Sequence, residues 1–594
     1  IYYVYFIFLR HSQRVEKNAD LAQIEIACSI PLRTMNTNTK FEFLDAIVIG
    51  AGFSGLYLLH RLRDDLCLNA IILEQGEGVG GTWYWNRYPG ARCDSESHGY
   101  AYFFSRALHE SWQWSERYPG HAEIRQYLNY VADKFDLKKD ICFGSRVSKC
   151  TFQADENLWH VQVGEGQVYK TKWLVTAVGC LSSANIPDIP GLSSFEGDWY
   201  HTGKWPHEGV DLKDKRVGQI GTGSTGIQTA PVIAETAAHL TIFQRTANYS
   251  VPARNAPWDR TYTNWVRAHY TDLKALVQST PNGHPFRISS NLAMEVSDAE
   301  RAEMFERAWE KGGLRFRGVF HDLLNSSQAN DTAAEFIKSK IRQTVKNPEI
   351  TQILSDIDHP YAAKRPPIDT NYFETFNRQN VRLVDLKSDP ISAIIPSGVL
   401  LESGIEHELD TLVFATGFDA MTGPLLGLNI TGPTRSLKNY WRAGPLSYLG
   451  LAIPNFPNLF TVTGPGSPSV LSNMPVSIEQ HVDWITDCIS FCMQNGVDKI
   501  EADADAAQDW VAHVRETAEA TLLPKAGNSW YWGANIPGKP RVFMPYAGGL
   551  VRYRKICESA AKDGYVGFSF LQRGADETMD KLDYQQQFVD DLGV

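Results

Sequence analysis

Asp45-Ala46-Ile47-Val48-Ile49-Gly50-Ala51-Gly52-Phe53-Ser54-Gly55-Leu56-Tyr57-Leu58-Leu59-His60-Arg61-Leu62 decides the fold. A short apolar strand runs into a glycine turn, after which Leu56, Leu59 and Leu62 recur at helical spacing. Gly50-x-Gly52-x-x-Gly55 therefore stands in the strand–turn–helix setting of a dinucleotide site. The first glycine allows the tight turn, and the second admits a pyrophosphate to the backbone N–H groups at the helix start. The third lets helix pack on strand. A second strand, Ala70-Ile71-Ile72-Leu73, ends in Glu74, at the separation from Gly50 where a carboxylate can bind both hydroxyls of an adenosine ribose.

The same arrangement recurs at Arg216-Val217-Gly218-Gln219-Ile220-Gly221-Thr222-Gly223-Ser224-Thr225-Gly226. Its second strand, Leu240 to Gln244, ends in Arg245 and Thr246, and Arg245 stands as far from Gly221 as Glu74 does from Gly50. A guanidinium there can hold a 2′-phosphate that a carboxylate would repel. The first site reads as FAD-binding and the second as NADPH-binding. A lone glycine triplet can be merely a tight turn; two in register with opposite terminal charges argue otherwise. Trp173 to Gly179 and Thr411 to Phe418 read as strands closing on small residues beside each nucleotide.

The expected fold class is α/β, with two Rossmann-like domains and a helical insertion at about 255–358, where helix-period apolar positions dominate. The expected order is an N-terminal extension at 1–39, FAD domain at 40–180, linker at 181–206, NADP domain at 207–400 and FAD domain again at 401–594. The stretch before Met35 reads as an extension, a targeting remnant or a mistaken gene start.

Over 594 residues, 57 Lys and Arg stand against 68 Asp and Glu, a formal charge of −11, with no long basic run. Nucleic acid is an unexpected partner. Nine scattered cysteines without a Cys-x-x-Cys pair suggest neither a disulfide framework nor a metal site and point to a reducing, cytoplasmic compartment. The longest apolar run, Ile1 to Leu9, is too short for a membrane span. The sequence does not indicate the oligomeric state.

Phe195-x-Gly197-x-x-x-His201-x-x-x-Trp205-Pro206 fills every fixed position of F-x-G-x-x-x-H-x-x-x-W-P. Gly80, Gly81, Trp83, Tyr88, Pro89, Gly90 and Asp94 fill G-G-x-W-x(4)-Y-P-G-x(3)-D. Together these resemble the signatures of type I Baeyer–Villiger monooxygenases, from about Phe43 to Gly567. The Trp205-Pro206 ending separates the chain from related N-hydroxylating enzymes, which match only as far as the histidine. By themselves His201, Asp94, Arg365 and Trp530 read as a loop histidine, a turn acid, a surface cation and an aromatic anchor.

The resemblance implies more specific roles. Arg365 sits over the flavin, oriented by Asp94, and these two are the expected catalytic residues. Lys364 and Trp530 join Arg365 in binding NADP, with Trp530 carried on a mobile loop at about 528–541. Thr82, Trp83 and Tyr100 join Gly50, Gly52, Gly55, Glu74 and Asp94 on the FAD side. His201 belongs to a segment that responds to nicotinamide, as a motif residue rather than a proton carrier. The implied reaction consumes NADPH, O₂ and a ketone and yields an ester or lactone through a C4a-peroxyflavin. An N- or S-oxygenating monooxygenase and a non-catalytic flavin-binding sensor are the alternatives.

Overall fold

A computed structural model describes residues 41–572. The expected N-terminal extension lies outside the described residues.

Strand β1 (Phe41–Ile49) is flanked in parallel by β2 (Ala70–Leu73) and β6 (Gln167–Thr176), and β2 continues to β3 (Ile141–Cys142). On the other side, β4 (Val147–Gln153), β5 (Leu158–Val163) and β6 form an antiparallel meander. Helix α1 (Phe53–His60) leaves the first glycine turn with seven of its residues buried. Ala46, Val48 and Ile72 line one face of the sheet, whereas Ile47 and Leu73 belong to a separate core on the other. A sheet covered on both faces accounts for the nearly continuous apolar runs.

The second sheet begins with β7 (Asp198–His201), which the sequence placed in a linker, and includes β8 (Arg216–Ile220) and β9 (His239–Gln244). Strands β10 (Val381–Asp385) and β11 (Thr411–Phe414) complete the order β10-β9-β8-β11-β7, with every pairing parallel. Helix α2 (Ser224–Thr236) follows the second glycine turn. The boundary at 400 is therefore corrected: β11 lies between β8 and β7, so the chain leaves this sheet only after Phe414. Hydrophobicity could not reveal that the strand pairs with β8, which lies far earlier in the chain.

The chain returns to the first sheet through β12 (Ile430–Thr431), which pairs with β4, and β13 (Leu459–Thr461), which pairs with β6. The segment 255–358 is helical, with α3 (Arg260–Ala268), α4 (Tyr270–Ser279), α5 (Asp298–Lys311), α6 (Ser327–Thr344) and α7 (Pro348–Ser355). It serves both domains. Val266, Tyr270, Leu273 and Val277 pack into the core of the first, while Phe305, Ala333, Ile337 and Leu354 pack into that of the second.

Candidate active site

The two glycine turns have closely matching geometry. Gly50 has φ +107° and Gly221 has φ +111°, each in the region that favours glycine. A Cβ on Gly50 would lie 2.7 Å from the Ala177 carbonyl oxygen, and one on Gly221 would lie 2.5 Å from that of Ala415. Ala177 follows β6 and Ala415 follows β11, so both predicted small-residue strand ends back onto their turns. The third glycines are tighter: a Cβ on Gly55 would fall 1.9 Å from the Gly50 carbonyl oxygen, and one on Gly226 would fall 2.2 Å from that of Gly221. Gly52 and Gly223 occupy the N-cap positions of α1 and α2, with Ser224 and Thr225 opening the second helix. Both turns thus fit a pyrophosphate at a helix N-terminus.

The strand-end charges fit different adenosines. Glu74 is buried, and its carboxylate accepts the Ala51 and Gly76 N–H groups, each at 2.7 Å. Burial raises its pKa despite those bonds, and no cation contributes to its surroundings among the described residues. Arg245 is exposed at the end of β9 beside Thr246, whose carbonyl accepts the Thr222 hydroxyl. The ammonium of Lys364 is disfavoured by burial and by the charges of Arg245 and Lys387, with Asp358 opposing them. A group of like charges is suited to a phosphate. On the FAD side, Trp83 Nε1 donates to the Tyr100 hydroxyl at 3.2 Å, whereas Thr82 is exposed at the start of a short helix. The buried Asn473 Oδ1 and Ser477 Oγ at the start of α8 (Met474–Gln494), and Thr463 Oγ1 in the loop whose N–H reaches His481 on that helix, have no hydrogen-bond partner among the described residues, and polar atoms of a flavin can complete such groups.

Asp94 and Arg365 form a bidentate pair. Arg365 donates through Nε and Nη2 to the two Asp94 oxygens at 2.6 and 2.8 Å, and through Nη1 to the Val470 carbonyl at 2.6 Å. One guanidinium thus joins the first FAD-domain segment, the NADP-domain stretch between α7 and β10 and the loop before α8. Burial disfavours both charges, but their pairing outweighs it, leaving the Asp94 carboxyl below its ordinary range and Arg365 protonated. The Tyr88-Pro89-Gly90 part of the motif is a domain contact: Tyr88 donates to Gln228 on α2 at 2.9 Å. A Cβ on Gly90 would lie 2.4 Å from the Gln228 carbonyl oxygen.

The motif histidine is buried at the end of a strand. His201 ends β7 opposite Phe414, and its Nδ1 accepts the Gly203 N–H at 3.0 Å. Burial lowers its pKa to about 4, so the ring is neutral near pH 7. Phe195 packs beside β11, Gly197 abuts the Asp410 carbonyl, and Trp205 is buried in the NADP-domain core, with Pro206 continuing the turn.

The segment 528–541 contains a single 3₁₀ turn, Trp530–Trp532. Lys539 donates to the Ala420 carbonyl at 2.7 Å and Asn535 to that of Phe418 at 2.8 Å. Trp530 is half-buried against Tyr531, their ring centroids 4.5 Å apart. Tyr531, rather than Trp530, is the fully buried ring within electrostatic reach of Arg365. Sequence reasoning missed Tyr531, His284 and Arg317, all of which interact electrostatically with Arg365. No local pattern marks His284 and Arg317, which come from segments without a motif, and the resemblance singled out Trp530 rather than its neighbour Tyr531. Among the described residues there is no group of acids, histidines and cysteines suited to a metal ion.

Two nucleotide-binding sheets with a partly buried carboxylate–guanidinium pair between them define the class of a two-dinucleotide flavoprotein. The flavin-binding monooxygenase-like family profile matches residues 45–278. A Baeyer–Villiger monooxygenase of Pseudooceanicola batsensis and a cyclohexanone 1,2-monooxygenase of an Acinetobacter species are each 43% identical, covering 90% of this chain and 98% of the relative. A phenazine N-monooxygenase of Lysobacter antibioticus is 41% identical at the same coverage. A steroid monooxygenase bound to NADP superposes with a TM-score of 0.85 at 47% identity, covering 89% of this chain and all of that one. OTEMO in complex with FAD and NADP gives 0.86 at 38% identity, covering 89% and 99%. The chain belongs to the type I Baeyer–Villiger monooxygenases.

Proposed function

We propose that this protein is an NADPH-dependent flavoprotein monooxygenase that inserts one oxygen atom of O₂ beside a ketone carbonyl, giving an ester or lactone. The observation that carries the site assignment is the Asp94–Arg365–Val470 junction, where a permanent cation is fixed between the two nucleotide domains. When bound, FAD supplies the oxygen chemistry and NADPH the hydride. Arg365 supplies positive charge where negative charge develops on oxygen, and Asp94 holds its guanidinium in place. Arg245 and Lys364 hold the coenzyme's 2′-phosphate, and Glu74 holds the flavin ribose. The docked 528–541 segment excludes water, with Trp530 placed to reach the coenzyme.

No described helix is long and apolar enough to cross a membrane. The odd, scattered cysteines support a cytoplasmic location. The relatives named for cyclohexanone, acetone and cyclopentanone support small ketones as a starting substrate set. N-oxygenation is the second reading, favoured by the phenazine N-monooxygenase relative despite the Trp205-Pro206 ending.

Incubating holoenzyme with NADPH, ¹⁸O₂ and either cyclohexanone or phenazine decides between them. Lactone carrying one ¹⁸O is expected. Labelled N-oxide with no lactone supports the second reading, and H₂O₂ alone contradicts both.

A further inference from the structure

Arg317 lies in the 3₁₀ segment Gly313–Gly318, two residues after Arg315. At three residues per turn this spacing rotates side chains by about 240°. Arg315 pairs with both oxygens of Glu96 at 2.8 Å, whereas the Arg317 guanidinium has no hydrogen bond or ion pair with a described residue. Arg317 is surrounded by protein yet keeps some accessible surface, as does Arg365, whose side chain is 26% exposed. Arg317 thus keeps an unpaired, partly accessible guanidinium within electrostatic reach of Arg365.

The charged and titratable groups acting on Arg317 are Tyr531, Tyr361 and Arg365, with no carboxylate among them. His284, stacked on Phe286 at 5.5 Å, also faces both arginines and is neutral near pH 7, burial having lowered its pKa to about 4. Asp94 balances Arg365, so Arg317 is an excess positive charge. A buried cation without a partner is costly, and an incoming anion can remove that cost. The coenzyme's phosphates have cations elsewhere: Lys364 and Arg245 act on one another and neither acts on Arg317.

We propose that Arg317 binds a carboxylate carried by the substrate, so that the enzyme selects keto acids over neutral ketones while Arg365 serves the reacting carbonyl. The assignment rests on the ketone-oxygenating reading. Its chemistry is that of a bidentate guanidinium–carboxylate pair, which Lys reproduces in charge but not in fork geometry.

The test compares 3- and 4-oxocyclohexanecarboxylate with their carboxamides in wild type, Arg317→Leu and Arg317→Lys, each checked for bound FAD. At least one acid should exceed its amide in kcat/KM by roughly ten- to a hundredfold in wild type. That ratio should fall to about one in Arg317→Leu and recover partly in Arg317→Lys. Calorimetric binding of cyclohexanecarboxylate to the holoenzyme should follow the same order without depending on turnover. An absent acid preference, or one that survives Arg317→Leu, overturns the proposal. So does an effect of Arg317→Leu confined to the KM for NADPH, which would place the coenzyme there. Lactone from cyclohexanone without an acid preference overturns the Arg317 assignment alone. No lactone from any ketone overturns the reading beneath it, and carboxylate binding still tests Arg317.

Discussion

Arg245 stands exposed at a strand end, so its contribution can be removed without disturbing a core. A charge-assisted hydrogen bond is worth about 1.5–3 kcal/mol, or roughly ten- to a hundredfold in preference. Arg245→Ala should shrink the ratio of NADPH to NADH use by that factor, chiefly through KM, while flavin content is unchanged; equal use of both coenzymes by wild type would contradict the charge argument. Arg245 was legible because it ends a strand at a fixed distance from a glycine motif. Asp94 and Arg365 were legible only through family resemblance, since nothing in the 271-residue gap between them announces a bidentate pair. Tyr531 and Arg317 were illegible for the same reason: their meaning comes from what surrounds them, and those neighbours are distant in sequence. Trp530, which the resemblance singles out, stands one position away from the ring buried beside Arg365.

At the scale of an element, the second glycine turn separates packing from ligand binding. A Cβ on Gly226 would lie 2.2 Å from the Gly221 carbonyl oxygen, but one on Gly223 would meet nothing within 4 Å. Gly226→Ala should therefore destabilise the fold, lowering the melting temperature by several degrees. Gly223→Ala should leave melting temperature and FAD content nearly unchanged while raising the KM for NADPH, because its empty space is where a phosphate approaches. Equal loss of stability in both variants would make the turn purely structural. The 528–541 segment offers a second test. Lys539 ties it to Ala420, so Lys539→Met should loosen it and Trp530→Ala should weaken its closure on the coenzyme. Both should divert NADPH oxidation towards H₂O₂ by severalfold, measurable as peroxide per NADPH consumed; unchanged coupling would make Trp530 an aromatic anchor. The glycine turns were readable because their geometry is local. The position of β7 was not, since its partner β11 comes from a strand far later in the chain.

For the whole molecule, buried titratable groups set an acid-side limit. Burial lowers the pKa of His98, His109, His201, His284 and His359 to about 4, from 6.5 when unfolded. The unfolded chain binds more protons in that window, so these imidazoles make stability fall as pH drops from 6.5 towards 4. Glu479 acts in the opposite sense. Burial raises its pKa from 4.5 to about 8, so the stability it contributes is present below 4.5 and lost as pH rises towards 8. The melting temperature should fall between pH 6.5 and 4.5, and Glu479→Gln should flatten the decline between pH 6 and 8. An unchanged alkaline slope in that variant would contradict the assignment. The paired nucleotide folds were visible in the sequence, but the way the insertion feeds two cores was not, because helical period shows an apolar face without showing what covers it. Arg365 is the cation of oxygen transfer in this scheme, whereas flavin retention belongs to the glycine turn and Glu74. Anaerobic stopped-flow reduction of Arg365→Ala by NADPH, followed by mixing with O₂ and cyclohexanone, tests that division most directly. The variant should remain yellow and be reduced, while lactone yield falls by roughly a hundred- to a thousandfold. Wild-type lactone yield, or loss of bound FAD, would contradict it.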